Sequence, residues 1–561
     1  MNTESAWNMF VFRDGRSTVP GATLARDLAD AISVLPSHAG TVPHNDLINA
    51  LLRAGELECA LADAASPSVT EAAQITDALA HTLISEEPAH LDLHYLLQLI
   101  PAHPPAELKV SPPEGFAYYA LHPLDYSDMV ASATLRSDVA GVIGVRSIGV
   151  TLSALVAARL RLRGIRVVRM TVRPEGHPYN RNTQLSPEQK ITVNSLAMSG
   201  AEFLIADEGP GMSGSSFLSA GDALIESGVP RASITFLCSR MLDPDTLRAC
   251  NGPERWRTFR ALFARKNSRL PQDALLYIGG GEWRSLLLPG GSEWPASWTQ
   301  MERLKFLSPD HSTLFKFEGF GRFGKAVHER ANAVASAGFG PAALDFAQGF
   351  SVYPVIPGHS MTEARATERE LSAPLLRRMA AYCAFRAHEF RCPRGQDWAQ
   401  MESMVRFNMA EEFGYDLPLA PGALATKSPV IVDGRMMPHE WIISPDGNFL
   451  KVDNASHGDD HFFPGPTDIA WDIAGAIVEW RMDSAATHYF IAEYVRFSGD
   501  DVRQRLPEFM MAYTVFRFGY CKMAAAALRG SAEEHRLTAA YERYRASASE
   551  RLADSFEPLA A

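Results

Sequence analysis

FLIADEGPGMSGSSF, residues 203–217, sets four apolar residues before two acids, then a run made almost wholly of Gly, Pro and Ser. A short apolar run closed by turn-forming residues reads as a buried strand. Apolar periodicity returns in SFLSAGDALIESG (216–228), so the stretch is strand, loop and helix. The same alternation extends both ways. Upstream lie the strand VAGVIGV (139–145), the helix TLSALVAARLRLRG (151–164), the strand IRVVRMTV (165–172) and the helix SPEQKITVNSLAMSG (186–200); SITFLCS (233–239) follows as another strand. Strands alternating with helices imply parallel pairing and a doubly wound α/β sheet. Ligands of such sheets bind at the carboxyl ends of the strands.

The opening stretch sits at such an end. Its loop runs into a helix near Ser216, and a helix N-terminus favours an anion through free N–H groups and its partial positive charge. Gly209, Gly211 and Gly214 let the backbone approach that anion, and Ser213, Ser215 and Ser216 add hydroxyl donors. Asp207 and Glu208 cannot face the same anion, so sugar hydroxyls or Mg²⁺ are their expected partners. Acids for hydroxyls followed by donors for a phosphate describe a ribose 5-phosphate site; a plain Gly-rich turn between strand and helix is the alternative.

Residues 116–245 resemble the type I phosphoribosyltransferases on these motifs. In that family an apolar strand, two adjacent acids and a small-residue loop bind phosphoribosyl pyrophosphate (PRPP) with Mg²⁺. The family loop carries two threonines where this chain has Met212 and Ser213. The resemblance implies that GVIGVRSIGVTLSA (141–154) holds the pyrophosphate loop, with Arg146, Ser147, Ile148 and Gly149. It implies that Asp207, Glu208 and Arg146 are catalytic. It further implies that Arg173 and Arg181, in VRPEGHPYNRNTQLSP (172–187), sit on a flap, and that Tyr119 in EGFAYYALHPLDY (114–126) stacks on the acceptor. A surface arginine at 146, a solvated loop at 172–187 and core aromatics at 114–126 are the structural alternatives.

The second half has another character. In LFKFEGFGRFGKAVHERANAVASAGFGP (314–341) a strand carries Lys316, and Glu329 follows on a helix. IGGGEWRSL (278–286) is a glycine-bearing strand turn or a hairpin. DGRMMPHEWIISPDGNFLKVDN (433–454) precedes GPTDIAWDIAGA (465–476). These segments resemble the aminoglycoside phosphotransferase and choline kinase group over about 270–530. The resemblance implies a nucleotide held by a Lys316–Glu329 pair, a metal ligand at Asp453, and Asp468 and Asp472 as the later acid pair. Three departures stand out. Arg435 replaces the family's catalytic Asp, Glu440 its metal-binding Asn, and Asp433 its His. Arginine cannot accept a proton, so Asp433 is the nearby acid left as a base, and Glu440 with Asp453 would bind Mg²⁺. HGDDHF (457–462) reads as a solvated loop, with a metal cluster as its alternative.

The 561 residues divide, on this reading, into a helical N-terminal region (1–105), a phosphoribosyltransferase-like α/β domain (106–250), a kinase-like N-lobe (265–360) and a helical C-lobe (361–561). Net charge −12 opposes nucleic acid as the main partner. Six scattered cysteines without a CxxC pair fit a reducing cytoplasm, and no apolar run is long enough to span a bilayer. The expectation is a soluble cytoplasmic multidomain α/β and α+β enzyme. It would be a Mg²⁺-dependent transferase taking PRPP and an unknown small-molecule acceptor, fused to a kinase-like domain with ATP as candidate cofactor; a homodimer is a candidate assembly. The alternatives are a sensor of PRPP or nucleotides, and a small-molecule phosphotransferase whose α/β domain recruits substrate.

Overall fold

A computed structural model describes residues 9–36, 44–85, 91–177, 179–211, 213–264, 275–288, 294–362, 371–393, 398–414 and 419–556. The chain forms two compact units, one of Gly15–Asp273 with Gly319–Phe323, the other of Met1–Asp14, Ala274–Glu318 and Gly324–Ala561.

In the first unit β1 (Ser17–Pro20) pairs antiparallel with β2 (Glu107–Val110). The main sheet comprises β3 (Val139–Val145), β4 (Arg166–Val172), β7 (Glu202–Ala206), β8 (Ile234–Cys238) and β9 (Arg260–Phe263). Between β4 and β7 lies the hairpin of β5 (Pro174–His177) and β6 (Asn180–Thr183). The sheet is parallel throughout, in the order β4-β3-β7-β8-β9. Every residue of β3, β7 and β8 is buried, as expected of strands covered on both faces. The chain steps from β3 to β4 in one direction, then crosses back to β7 and β8. Right-handed crossovers therefore put the Ile148–Leu162 helix on one face and the Pro187–Met198 and Ser215–Glu226 helices on the other. Val193, Leu196, Phe217 and Leu218 of that second pair pack with Ile143, Phe203, Ile205 and Phe236 of the strands.

The Ile148–Leu162 helix is apolar around most of its circumference and buried almost throughout, so a second layer must cover its outer side. The N-terminal helices His44–Asp63 and Val69–Ile84 belong to the same unit and supply it. At Gly55 an added Cβ would lie 2.2 Å from Thr151 Oγ1. Arg169 of β4 reaches into these helices, with Nη1 2.8 Å from Glu58 and Nε 2.6 Å from Asp77. Burial alone would lower the Arg169 pKa, but the two carboxylates raise it above its ordinary value. Gly55→Val is expected to cost about 1–3 kcal/mol by overpacking. Urea denaturation measures it, and a loss under about 0.5 kcal/mol, the range of ordinary surface changes, would show that the helices do not meet tightly there.

The second unit opens with an antiparallel sheet of β10 (Leu276–Tyr277), β11 (Lys305–Leu307), β12 (Thr313–Phe317), β13 (Asp345–Ala347) and β14 (Phe350–Pro354), ordered β10-β11-β12-β14-β13. Val327 and Ala331 of the Arg322–Ser336 helix pack with Tyr353 and Leu314 of that sheet. A small sheet of β15 (His359–Ser360), β16 (Trp441–Ile443) and β17 (Phe449–Lys451) follows. Among the described residues the longer helices that follow are Ala373–Glu389, Trp398–Phe413, Ala470–Glu479, Ser484–Ser498, Leu506–Ala527 and Ala532–Phe556. Their core is aromatic, with Trp471, Trp480, Tyr382, Tyr494 and Tyr513 buried. Among the described residues no helix is long and apolar enough to cross a membrane.

Candidate functional site

In the parallel-sheet unit the strand order reverses between β3 and β7, and the crevice of such a sheet opens where that happens. The loops after these two strands hold the residues expected there. Arg146 and Ser147 follow β3, and their peptide is cis. Asp207 and Glu208 follow β7. The two loops approach closely, because a Cβ on Gly149 would lie 2.6 Å from the Ala206 carbonyl oxygen. Only glycine fits, so Gly149 brings the loops together.

Glu208 Oε2 accepts from the Gly115 N–H at 2.7 Å, and the Glu208 N–H donates to Asp207 Oδ1 at 2.8 Å. The Tyr126 hydroxyl donates to the Asp207 carbonyl. Burial raises both carboxyls, Asp207 to about 6 and Glu208 to about 8. Glu114 and Asp207 push Glu208 further up, while Arg240 and the Gly115 N–H oppose them. At Asp207 the opposing groups are the Glu208 N–H, then Arg181 and Arg173. The structure thus brings the arginines at 173 and 181 into the field of the acid pair. Arg181, on β6, donates from Nη1 to the Pro174 carbonyl at 3.2 Å.

Gly214 has φ +67 and caps the Ser215–Glu226 helix, a conformation favouring glycine. Ser213 Oγ lies 3.0 Å from Ser215 Oγ and accepts from the Ser215 N–H. Ser216 is half-buried one position further on. Ser239 N–H donates to the Gly209 carbonyl at 3.0 Å, whereas a Cβ on Gly211 would meet nothing within 4 Å. Met212 lies outside the described residues. Tyr119 is half-buried, edge-on to Tyr118 at 6.4 Å.

Sequence reasoning missed Asp63, the last residue of the His44–Asp63 helix. Arg146 Nη1 donates to its Oδ1 at 3.1 Å, as does Arg173 Nε at 3.1 Å. Arg173 Nη1 also donates to the Arg146 carbonyl at 2.7 Å. Asp63 lies 83 residues from Arg146 in the chain, too far for any spacing rule to join them.

In the second unit a cavity of about 210 Å³ runs between the antiparallel sheet, the 354–360 segment and the β16–β17 hairpin. Ile278, Leu307, Leu314, Val355, Ile356 and Ile442 make one part apolar. Lys305, Lys316, Glu318, Arg435, Glu440 and Asp453 make the other part charged. Residues 279–282 turn from β10 into the short Trp283–Leu287 helix, a glycine-bearing strand turn and not a hairpin, and Trp283 stacks on His439 at 5.5 Å above the cavity.

Lys316 Nζ lies 2.5 Å from Asp453 Oδ1, 2.7 Å from Ser456 Oγ and 3.1 Å from Glu318 Oε1. The expected Lys316–Glu329 pair does not form. The Arg322–Ser336 helix buries Gly324, Val327, Arg330, Ala331 and Val334, a phase that turns Glu329 to solvent beside Lys325 at 3.9 Å. Glu318 takes its place, and strand periodicity could have found it, since residues two apart share a face. Glu329→Ala is expected to change stability by under about 0.5 kcal/mol, as at other exposed positions, and to leave any nucleotide-induced rise in melting temperature intact; a lost rise would restore Glu329 to the site.

Asp453 has φ +53, a left-handed conformation that Asp and Asn tolerate best. Burial would raise its carboxyl, but Lys316, His457, Lys305 and Arg435 hold it well below the ordinary range. For Lys316 burial would lower the pKa, and Asp453 and Glu318 raise it. Burial raises Glu440 against the opposing pull of Arg435 and Lys451, which lie 3.2 and 2.9 Å away. Glu440 and Asp453 thus line one cavity, each already paired with cations. Among the described residues no group of three or more His, Cys, Asp or Glu side chains is arranged to hold a metal.

Asp433, expected as a nucleotide-side base, is 1% exposed and lines neither this cavity nor the one beside it. It accepts from the Tyr382 hydroxyl at 2.5 Å and lies 3.4 Å from Lys451 Nζ. The N–H groups of Asp433 and Gly434 donate to Asp472 at 2.7 and 2.9 Å. Asp472 therefore fixes the segment that presents Arg435, and Asp468 accepts from Arg505 Nε at 2.9 Å. The 457–462 loop is not solvated as expected: Asp460 and His461 are buried, and Asp459 pairs with Arg330 at 2.7 Å.

No family model matches the chain, and no curated protein matches it. Among solved structures it is similar to a choline/ethanolamine kinase family protein from Mesorhizobium loti, at 16% identity and TM-score 0.32 over 45% of this chain and 88% of that one. It is similar to the choline kinase LicA from Streptococcus pneumoniae at 12% identity and TM-score 0.29, over 44% and 89%. It is also similar to the macrolide 2'-phosphotransferase MphH from Brachybacterium faecium at 16% identity and TM-score 0.27, over 43% and 88%.

Proposed function

We propose that the unit of residues 274–561 binds a magnesium nucleoside triphosphate and transfers its terminal phosphoryl group to a small molecule. The cavity's division carries this reading: an apolar part suits a planar base, and a part lined by Lys305, Lys316 and Arg435 suits phosphates. Mg²⁺ binds through one or two carboxylates and completes its shell with phosphate oxygens and water; Asp453 and Glu440 fit that need. When bound, the ion would neutralise charge developing on the phosphates. Lys316, fixed between Glu318 and Asp453, orients Asp453 and presents an ammonium to the same end.

ATP with Mg²⁺ is expected to raise the melting temperature of the parent but not of Asp453→Asn, because a ligand stabilises the state that it binds. Asparagine keeps the shape and tolerates the left-handed backbone, so this variant is expected to fold. No shift with the parent, or an equal shift with the variant, would remove the nucleotide from this cavity.

A specific observation favours a second ligand in the parallel-sheet unit. Two acids and a serine loop stand where the strand order reverses, beside three arginines. We read this as a site for PRPP, with the ribose hydroxyls on Asp207 and Glu208 and the 5-phosphate on the 209–216 loop. Isothermal calorimetry with PRPP and Mg²⁺ tests it, and unaltered heats in Asp207→Asn/Glu208→Gln would exclude those acids from the site.

A further inference from the structure

A second cavity of about 80 Å³ adjoins the nucleotide cavity, and Glu302, Lys305, Lys316, Arg435 and Asp453 line both. The two meet at the charged end, where a transferred phosphoryl group would be handed over. The smaller cavity is lined by the cations Arg303, Lys305, Lys316, Arg435 and Arg517. Three carboxylates line the cavity with them, and each is held; the cations also have partners outside its lining, Arg435 with Glu440 at 3.2 Å, Lys316 with Glu318 at 3.1 Å and Arg517 with Glu479 at 3.3 Å. Glu302 accepts from the Gly281 N–H at 2.9 Å and the Trp283 indole at 3.2 Å, Asp453 from Lys316, and Asp460 from His461. Nε of Arg435, a donor, and Nδ1 of His457, a donor or an acceptor according to the tautomer, are buried without a hydrogen-bond partner, at a cost of about 1–3 kcal/mol per unsatisfied group.

We propose that this cavity is the acceptor subsite and that the acceptor is an oxyanion, a phosphate monoester or a carboxylate, whose charged oxygen is itself the nucleophile. The inference rests on the nucleotide reading of the neighbouring cavity. A hydroxyl acceptor needs a base to take its proton; Arg435 at the junction cannot accept one, and the carboxylates there, Glu302 and Asp453, are already engaged, Glu302 by the Gly281 N–H and the Trp283 indole and Asp453 by Lys316. An oxyanion needs no base. Its oxygen donates a lone pair to the terminal phosphorus and forms the new P–O bond. The bond from that phosphorus to the bridging oxygen breaks, and the nucleoside diphosphate leaves with the electron pair. No proton moves. Arg435 and Lys305 offset the repulsion between the two anions, which otherwise opposes such a transfer.

Inorganic phosphate is the probe. It is titrated calorimetrically into protein saturated with Mg²⁺ and a non-hydrolysable ATP analogue, and separately into nucleotide-free protein. Saturable phosphate binding is expected in both, at least tenfold weaker in Arg435→Gln and in Lys305→Gln, with circular dichroism confirming that each variant folds. Choline, a cation of similar size, is expected not to bind. Phosphate binding only without the analogue would mean that the cavity holds the nucleotide's own terminal phosphate, and it would overturn the proposal. So would absent binding, binding indifferent to both variants, or saturable choline binding. If the analogue does not bind, the nucleotide reading fails by itself, while the nucleotide-free titration still decides whether an oxyanion binds.

Discussion

Lys316→Met lowers the stability of the 274–561 unit by about 3 kcal/mol and abolishes its response to ATP; this is the largest single effect expected. The side chain is 5% exposed and touches two carboxylates, of which Glu318 is 1% and Asp453 18% exposed. Removing one partner of a buried ion pair costs about 3–5 kcal/mol, because the remaining charge is left in a poorly polarisable interior. The lower end applies, since Lys305 stands 3.6 Å from Asp453 and Arg303 3.8 Å from Glu318. Urea midpoints measure the loss. Lys316→Met/Glu318→Gln should recover much of it without recovering ATP binding, which separates the structural from the ligand-binding contribution. A loss under about 1 kcal/mol, the scale of an exposed pair, would show that the lysine is not the counter-charge of this cavity.

The second large effect is one of pH. Glu208 keeps its proton up to about pH 8 in the folded protein but loses it near 4.5 when unfolded. Between those values the unfolded chain binds fewer protons, so stability falls as pH rises. Glu208→Gln is therefore expected to gain on the parent progressively from about pH 5 to pH 8 without ligand. Asp207, at about 6, adds a smaller slope of the same sign at lower pH. Hydroxyl or Mg²⁺ binding needs the ionised carboxylates, so PRPP affinity should rise over the same range, with proton release seen as buffer-dependent heats. Glu114, Asp207 and Arg240 are the charged neighbours of Glu208, so Glu114→Gln should narrow the range. A flat affinity from pH 6 to 8 would mean that the ligand does not touch this acid.

β3, β7 and β8 were legible because they are buried on both faces and read as largely apolar runs; the partly exposed edge strand β9 was not legible. The loop between β7 and the Ser215–Glu226 helix was legible because Gly, Pro and Ser interrupt the apolar run before helical periodicity returns. What escaped depends on contacts between distant segments. Asp63 pairs with arginines far away in the chain. Glu329 carried the expected charge at the expected spacing, but a helix rotates its residues by about 100° each, and charge does not report that phase. Asp433 looked like a base beside an arginine, yet burial and Tyr382 commit it to the interior. Asp472 shows the converse: it accepts from the Asp433 and Gly434 N–H groups and so holds the start of the 433–440 segment from another element, which sequence spacing alone cannot orient.

Asp63 has one more consequence. It is already bound to Arg146 and Arg173, so any anion drawn to those arginines arrives as a replacement, not as a first occupant. The free energy of its binding is the difference between two ion pairs, and the displaced carboxylate belongs to the end of an N-terminal helix. Occupancy of the crevice is thereby written into how firmly that helix end is held, and an amide hydrogen-exchange record of residues 59–63 would serve as a gauge of it.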